Sequence, residues 1–529
     1  MKDISSHANA EDFMRLIKPK RKNLLSLIFS RFFLFVLLMA LQVFIVIMLV
    51  EYAKDHIGNY LLLERLFAFM MIVYLFSCPM DSSAKLTWML IISIVPIVGA
   101  ALLFFTQFNL GNRRVKKNIT SQIIRTKHAI PQPEGVMDEL HNEGDHTDDL
   151  VRYLCRSGCF PAYDDTKVTY FPSGEAKFEV MLRELAKAEK YIFMEYFIIE
   201  EGYMWGKILD VLTLKAKEGV KVRVMYDGMC EISTLTPDYF KRLSKVGIEA
   251  KPFSPIRPFL SSHYNYRDHR KILVIDGKVA FTGGVNLADE YINRIERFGH
   301  WKDVAIMVKG GAVRSFTLMF LQMWNAHKQD AVYDEYLAYT PEAAEDASGY
   351  VVPYCDCPLD DDKVGEAVYM DILNRAGTYV HIMTPYLILD GELETAIKYA
   401  AERGVDVKLI LPGIPDKTVA YALAKSHYWN LLSSGVKIYE YTPGFVHAKV
   451  FVSDDIKAVV GTINLDYRSL YHHFECATYM FKTDCVEDIE KDFQQTLSQC
   501  REITKEIVKN ENRFYILTGG LVRFLAPLM

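Results

Sequence analysis

"HRKILVIDGKVAFTGGVN" occupies residues 269–286, and the chain returns to the same plan in "HAKVFVSDDIKAVVGTIN" at 447–464. Each stretch reads His, any residue, Lys, four residues, Asp, and each closes on Gly and Asn at the same offset. Asp276-Gly277 lies between apolar, β-branched runs, which predicts two strands joined by a tight turn. Residues two apart on a strand share a face, so His269 and Lys271 point the same way, as do His447 and Lys449. Asp276 and Asp454 stand an odd number of residues from their histidines and leave that face. A turn-forming role and a catalytic one are both open for them.

What precedes each copy repeats as well. "KYIFMEYFII" (190–199), "GKILDVLTLKAKEG" (206–219) and "VKVRVMYDG" (220–228) read strand, helix, strand. "TYVHIMTPYLI" (378–388), "LETAIKYAAERG" (393–404) and "VDVKLILPG" (405–413) read the same. Such a unit makes a parallel strand pair with a right-handed crossover. The fold class expected is α/β, built as two duplicated halves around one active site.

Two halves facing each other would bring two imidazoles, two ammonium groups and two amides to one pocket. That set suits a phosphodiester. Lys271, Lys449, Asn286 and Asn464, with Gly284 and Thr462 beside them, can hold the non-bridging oxygens as charge develops. One histidine can attack phosphorus while the other protonates the leaving alkoxide, and a covalent intermediate divides the reaction into two displacements. No Asp/Glu/His cluster with magnesium or zinc spacing accompanies the motif, so the scheme calls for no metal and no cofactor.

The 529 residues are half hydrophobic and 24% charged, with a net charge of −5, enough for several domains. No strongly basic run outside residues 15–22 and 113–117 suggests a nucleic-acid groove. Nine cysteines, with Cys155/Cys159 and Cys355/Cys357 as close pairs, lack histidines at zinc spacing and read as free thiols in a reducing compartment. The apolar residues crowd the N-terminus. "FFLFVLLMALQVFIVIMLV" (32–50) and "LTWMLIISIVPIVGAALLFF" (86–105) each approach the roughly 20 residues that cross a bilayer, and the first is too long for a cleaved signal peptide. Residues 61–77 carry Glu64 and Arg65, leaving a span, an interfacial helix and a partial helix open. Arg15, Lys18, Lys20, Arg21 and Lys22 precede the first run, and Arg113, Arg114, Lys116 and Lys117 follow the last. Basic flanks kept inside imply an even number of crossings, two, with the bulk of the chain cytoplasmic. The expected division is a helical membrane-anchor region (1–108), a polar linker with one short helix (109–150), the first half (151–345), the second half (346–510), and a C-terminal segment (511–529) that packs or touches lipid.

These stretches together resemble the phospholipase D superfamily, and within it the bacterial cardiolipin synthases. "EYFIIEEG", "GVKVRVMYDG", "FTGGVNLADEYIN" and "HWKDV" carry the resemblance in the first half. "TPYLI", "ERGVDVKLILPGIPDK", "GVKIYEYTPGFVHAK" and "GTINLDYRSLYHHFE" carry it in the second, and "KLTWMLIISIVPIVGA" in the anchor. The resemblance implies two catalytic triplets, His269, Lys271, Asp276 and His447, Lys449, Asp454, with His269 as nucleophile and His447 as general acid. The residues alone do not distinguish those two roles. It also implies a pocket position for Glu475, although "YHHFE" departs from the family: His472 and His473 stand where many relatives carry Leu and Asn. The implied activity is transfer of a phosphatidyl group between two phosphatidylglycerol molecules in a bacterial cell membrane. A phosphodiesterase that uses water and a non-catalytic membrane scaffold are the alternatives.

Overall fold

A computed structural model describes residues 58–78, 80–107, 113–255, 266–326, 333–339, 341–360 and 362–510, with isolated positions between 44 and 52 and at 523, 524 and 526. The two βαβ units form as the apolar runs predict. Tyr191–Tyr196 pairs in parallel with Lys221–Asp227 across helix Tyr203–Lys217, and Tyr379–Met383 pairs in parallel with Asp406–Pro412 across helix Gly391–Glu402. Each strand that follows a motif histidine, Lys271–Ile275 or Val450–Ser453, lies antiparallel beside the first strand of its own unit.

The two sheets are built alike. The first runs Lys167–Phe171, Ala305–Lys309, Val279–Gly283, Lys271–Ile275, Tyr191–Tyr196, Lys221–Asp227, Glu249–Phe253. The second runs Tyr350–Asp356, His473–Phe481, Lys457–Gly461, Val450–Ser453, Tyr379–Met383, Asp406–Pro412, Lys437–Tyr441, with Cys500–Ile503 added at the edge. Position for position the order is the same, which is the duplication seen in the motifs. Helix Val313–Trp324 is apolar on nearly every side because it is buried along its length: Phe320 stacks on Phe193 of the first sheet at 4.7 Å, and the helix shares one continuous core with the second.

Two short exchanges knit the halves. Arg267–Asp268, just before His269, pairs in parallel with His473 and Phe474 of the second half. Gly444–Val446, just before His447, pairs in parallel with His300–Lys302 of the first. Parallel pairing leaves no room for a turn between partners, so each exchange joins segments distant in sequence.

Two expectations about the flanks are corrected. Residues 109–150 are not a polar linker with one short helix. Helices Arg113–Arg125, Val136–Asn142 and Thr147–Ser157 bury Ile119, Val136, Leu140, Leu150, Val151 and Leu154 in the main core. The run 86–105 is not one span. It is divided between helices Ser82–Ile94 and Pro96–Gln107, because Pro96 cannot donate to the preceding turn. The chain folds back so sharply there that a Cβ on Gly99 would come within 3.1 Å of the Ile92 backbone. These helices are each about 20 Å long or less, against roughly 30 Å of hydrocarbon. The segment left open, 61–77, is the helix Tyr60–Ser77, the one helix among the described residues long and apolar enough to cross a membrane. It exposes Leu62, Leu66, Phe69, Val73 and Phe76. The expected span 32–50 lies largely outside the described residues. At the C-terminal end, the Phe524 carbonyl accepts a 2.7 Å bond from Thr87, and Ala526 is buried beside Leu423 and Tyr467, so this segment ties the helical hairpin to the second half.

Candidate active site

The strand exchanges deliver the two histidines to one place. The His269 N–H donates to the Phe474 carbonyl at 2.9 Å, and the His447 N–H donates to the Lys302 carbonyl at 2.7 Å. The next residue on each receiving segment is an acid with no solvent exposure, Glu475 or Asp303. The side chains then pair crosswise. His269 Nδ1 lies 2.9 and 3.0 Å from the Glu475 carboxylate oxygens, and His447 Nδ1 lies 2.6 Å from Asp303 Oδ2. Each half thus orients the imidazole of the other.

The lysines reinforce the pattern. Lys271 Nζ donates to the His269 carbonyl at 2.5 Å, and Lys449 Nζ donates to the His447 carbonyl and lies 2.9 Å from His447 Nδ1. Both lysines share the fields of Asp303 and Glu475, which sets the four groups around one buried centre. Lys177, from helix Gly174–Leu185, adds a third fully buried ammonium near Asp303. Aromatic rings close the walls: Phe197 meets His269 edge-on at 4.8 Å, and Tyr291 and Trp301 stand 5.4 Å from His447.

The positions expected to hold phosphate divide into separate tasks. Gly284 makes room: a Cβ there would sit 2.0 Å from Asp303 Oδ1. Thr462, its counterpart in the second half, donates its hydroxyl to Glu475. These two residues seat the carboxylates rather than a ligand. Asn286 is engaged at both ends, accepting from the Ile198 N–H at 3.0 Å and donating to Tyr291 Oη at 2.9 Å. Asn464 donates to Asp466 at 3.2 Å, and its buried Oδ1 has no hydrogen-bond partner.

Asp276 and Asp454 sit at the far ends of their strands, in turns at φ 54°. Asp276 accepts from the N–H groups of Glu189, Lys190 and Tyr191, each at 2.7 Å. Asp454 accepts from Gly377, Thr378 and Tyr379 at 2.8, 2.8 and 2.9 Å. Placing them in the catalytic triplets is therefore corrected: they cap the start of the neighbouring parallel strand and take no part in the cluster.

Burial sets the protonation states. It pushes His269 well below its usual value, opposed by Glu475, and it pushes His447 down to about 4 with help from Lys449. It lowers Lys271 to about 8 and Lys449 to about 7. Burial works against a charge on Glu475 too, but the contact with His269 outweighs it and holds the carboxyl well below the carboxylate range. The consistent state is an ionised Glu475 accepting Nδ1–H from a neutral His269, which leaves the Nε2 lone pair free. The arrangement can therefore offer a nucleophilic nitrogen, a second imidazole to carry a proton, and cations for an anionic centre.

His473 fills the space beside this pair. Its ring is 5.4 Å from that of His269, and neither of its buried nitrogens has a hydrogen-bond partner. Sequence spacing gave no hint of a metal-ligand cluster, yet the fold brings His269 to His473 and Glu475, more than two hundred positions further along the chain. Asp303 is a second functional residue that sequence reasoning misses, although it stands in the stretch "HWKDV". A cleft lined by Tyr386, Leu411, Pro412, Lys417 and Phe445 lies near His447, whose ring is 5.9 Å from that of Phe445.

Residues 181–324 and 369–497 match the family model described as "Cardiolipin synthase, PLD-like domain". A protein of Streptococcus mutans described as uncharacterized is 58% identical over 87% of this chain and 99% of its own length. Cardiolipin synthases of Alkalihalophilus pseudofirmus and Halalkalibacterium halodurans are 33% and 32% identical, each over 84% of this chain and 88% of theirs. The crystal structure of a phosphatidylserine synthase from Haemophilus influenzae covers 68% of this chain and 95% of its own, with a TM-score of 0.53 and 14% identity. That likeness is one of fold.

Proposed function

The chain belongs to the cardiolipin synthase family of phospholipase D-like phosphatidyltransferases, and from that membership we propose that it joins two phosphatidylglycerol molecules into cardiolipin and glycerol. The observation that carries the reading is the crossed pairing of His269 with Glu475 and His447 with Asp303, flanked by Lys271 and Lys449.

In this reading His269 Nε2 attacks phosphorus and a P–N bond forms. The P–O bond to glycerol breaks, and His447 gives its proton to the leaving oxygen. A phosphodiester anion brought against His447 favours the protonated imidazole that burial alone disfavours, so binding itself arms the acid. In the second displacement His447 takes a proton from a lipid hydroxyl, and that oxygen replaces His269 on phosphorus. Asp303 and Glu475 fix the imidazole tautomers, and the lysines offset charge on the non-bridging oxygens. Lys271, Lys449 and the two histidines are the residues assigned to the chemistry. The buried acceptor Asn464 Oδ1 suits a hydroxyl donor.

The membrane arrangement is part of the proposal. Taking 32–50 as the first crossing and Tyr60–Ser77 as the second keeps both basic clusters on one side, with the helical hairpin Ser82–Gln107 dipping in and returning. The site would then lie at the headgroup layer, where lipid hydroxyls are concentrated and positioning can outcompete water.

The test is purified enzyme in vesicles of phosphatidylglycerol, with products resolved by mass spectrometry. Cardiolipin with one equivalent of glycerol is the expected outcome, and added glycerol should drive the reaction backwards. Phosphatidic acid as the dominant product would replace the synthase with a hydrolase.

A further inference from the structure

We propose that His269, His473 and Glu475 form a binding site for a zinc-class transition-metal ion, and that occupying it switches the enzyme off. The proposal goes beyond the transfer reaction and uses one part of it, the role of His269 as nucleophile.

The geometry is that of a site nearly assembled. One ligand atom from each residue lies within 4.8 Å of the other two, and all three residues are buried. A tetrahedral ion with bonds near 2.1 Å needs ligand atoms about 3.4 Å apart, so small side-chain rotations complete the tripod. Two of the separations are already close to that: His269 Nδ1 is 2.9 Å from Glu475 Oε1, and His473 Nδ1 is 3.6 Å from the same oxygen. Thr462 engages the other carboxylate oxygen, Oε2, and steadies the group without using Oε1.

His473 supplies the independent observation. Its side chain is 92% buried, and neither ring nitrogen has a hydrogen-bond partner. Buried polar nitrogens are normally satisfied, and an unsatisfied pair beside an ionised carboxylate is an anomaly that a metal ion would resolve. Two imidazoles and one carboxylate suit Zn²⁺, Co²⁺ or Ni²⁺. Mg²⁺ and Ca²⁺ call for oxygen donors and are not favoured. Lys271 and Lys449 share the field of Glu475 and oppose a dication, which makes the site one that fills and empties rather than a permanent centre.

Occupation has a definite chemical consequence. Bonding the ion to His269 Nδ1 takes up that nitrogen's lone pair, so the neutral ring's single proton, which Nδ1 had donated to Glu475, moves to Nε2. With that proton on Nε2, the lone pair that attacks phosphorus is gone. The ion acts by fixing the wrong tautomer, without blocking the pocket.

The experiment uses the full-length protein in detergent, stripped with chelator and titrated with Co²⁺ alone. The expected result is one equivalent per chain with the visible absorption of a four-coordinate cobalt ion. His473→Asn and His473→Phe should abolish that signal, whereas His146→Ala, at a separate group with Asp148 and Asp149, should leave it intact. In parallel, Zn²⁺ should inhibit phosphatidyl transfer reversibly, with EDTA restoring the rate. The zinc concentration for half inhibition should rise roughly 10- to 100-fold in either His473 variant, relative to that variant's own metal-free rate. Absence of the cobalt signal in the unmodified protein, or its persistence in both His473 variants, overturns the site. Cobalt binding at His473 without zinc inhibition overturns the switch. Because cobalt binding is read without turnover, an error in the assigned reaction would show separately.

Discussion

Asp303→Asn removes one charge and keeps the shape of the side chain, so it isolates what the carboxylate does for His447. The pair is 2.6 Å long, and Asp303 has no exposure to solvent that could compensate. Losing the carboxylate that orients a catalytic imidazole and stabilises its protonated form costs about 3–5 kcal/mol of transition-state stabilisation. At about 1.36 kcal/mol per tenfold in rate, the variant should turn over phosphatidylglycerol roughly two to four orders of magnitude more slowly. The loss should also depend on the leaving group. A phosphatidyl ester of p-nitrophenol leaves as phenolate and needs no proton, so the first displacement can proceed without His447 acting as an acid. Asp303→Asn and His447→Ala should therefore both release a burst of about one equivalent of p-nitrophenolate per enzyme and then stall, because the second displacement still needs a base. Glu475→Gln and His269→Ala should show no burst. Stopped-flow absorbance on the four variants decides the matter. A burst in the Glu475 and His269 variants that is missing from the other two would exchange the roles of the histidines. Equal bursts in all four would refute the division of labour.

Other consequences can be measured in the same assays. Gly284→Ala should lose activity on the scale of Asp303→Asn while remaining folded, since the new Cβ would lie 2.0 Å from Asp303 Oδ1; normal turnover would mean the carboxylate is not needed where it sits. Asp276→Ala should lower thermal stability by about 2–4 kcal/mol, because three backbone N–H groups lose their acceptor, and should keep near-normal kcat at low temperature. Asp454→Ala should cost less, since Asp454 is itself half-buried whereas Asp276 is buried. For kcat/KM against pH, the acid limb should rise as His269 loses its proton, below 6.5, and the alkaline limb should fall as Lys449 (about 7) and Lys271 (about 8) lose theirs; a plateau extending past pH 9 would contradict the burial argument. Chelators should leave basal transfer intact, and a loss restored by added metal would require an ion in the chemistry itself.

The legible part of the sequence was whatever repeats locally. The strand-turn-strand hairpins after His269 and His447, and the βαβ units before them, are written in short apolar alternations, and the structure reproduces both. The histidine partners were less accessible because each comes from the opposite half. Asp303 and Glu475 also stand at different distances from the asparagines that close the two hairpins, so matching one repeat to the other does not reveal them. Their neighbours gave a hint after the fact: "HWKD" and "HHFE" are each the segment that receives the other half's exchanged strand. In the flanks, composition misled. "TDDLVRYLCRS" is rich in charge, yet Leu150, Val151 and Leu154 fall on one helical face and reach the core. Pro96 stands inside the run 86–105, but hydropathy summed over the run gives it no weight.

The strand exchange also bears on how such a molecule could arise. A single half holds an imidazole whose carboxylate lies elsewhere, and a carboxylate whose imidazole lies elsewhere. Alone it would be inert, and two identical copies would complete each other about a twofold axis in a closed dimer. Fusing two copies in one chain replaces a concentration-dependent encounter with an intramolecular one, so the site no longer depends on how much protein is made. Fusion also frees the halves to diverge. Gly284 can face Thr462 and Asp303 can face Glu475 across the same axis, and each imidazole can be tuned for one displacement at no cost to the other. A homodimer would have to express every such change twice.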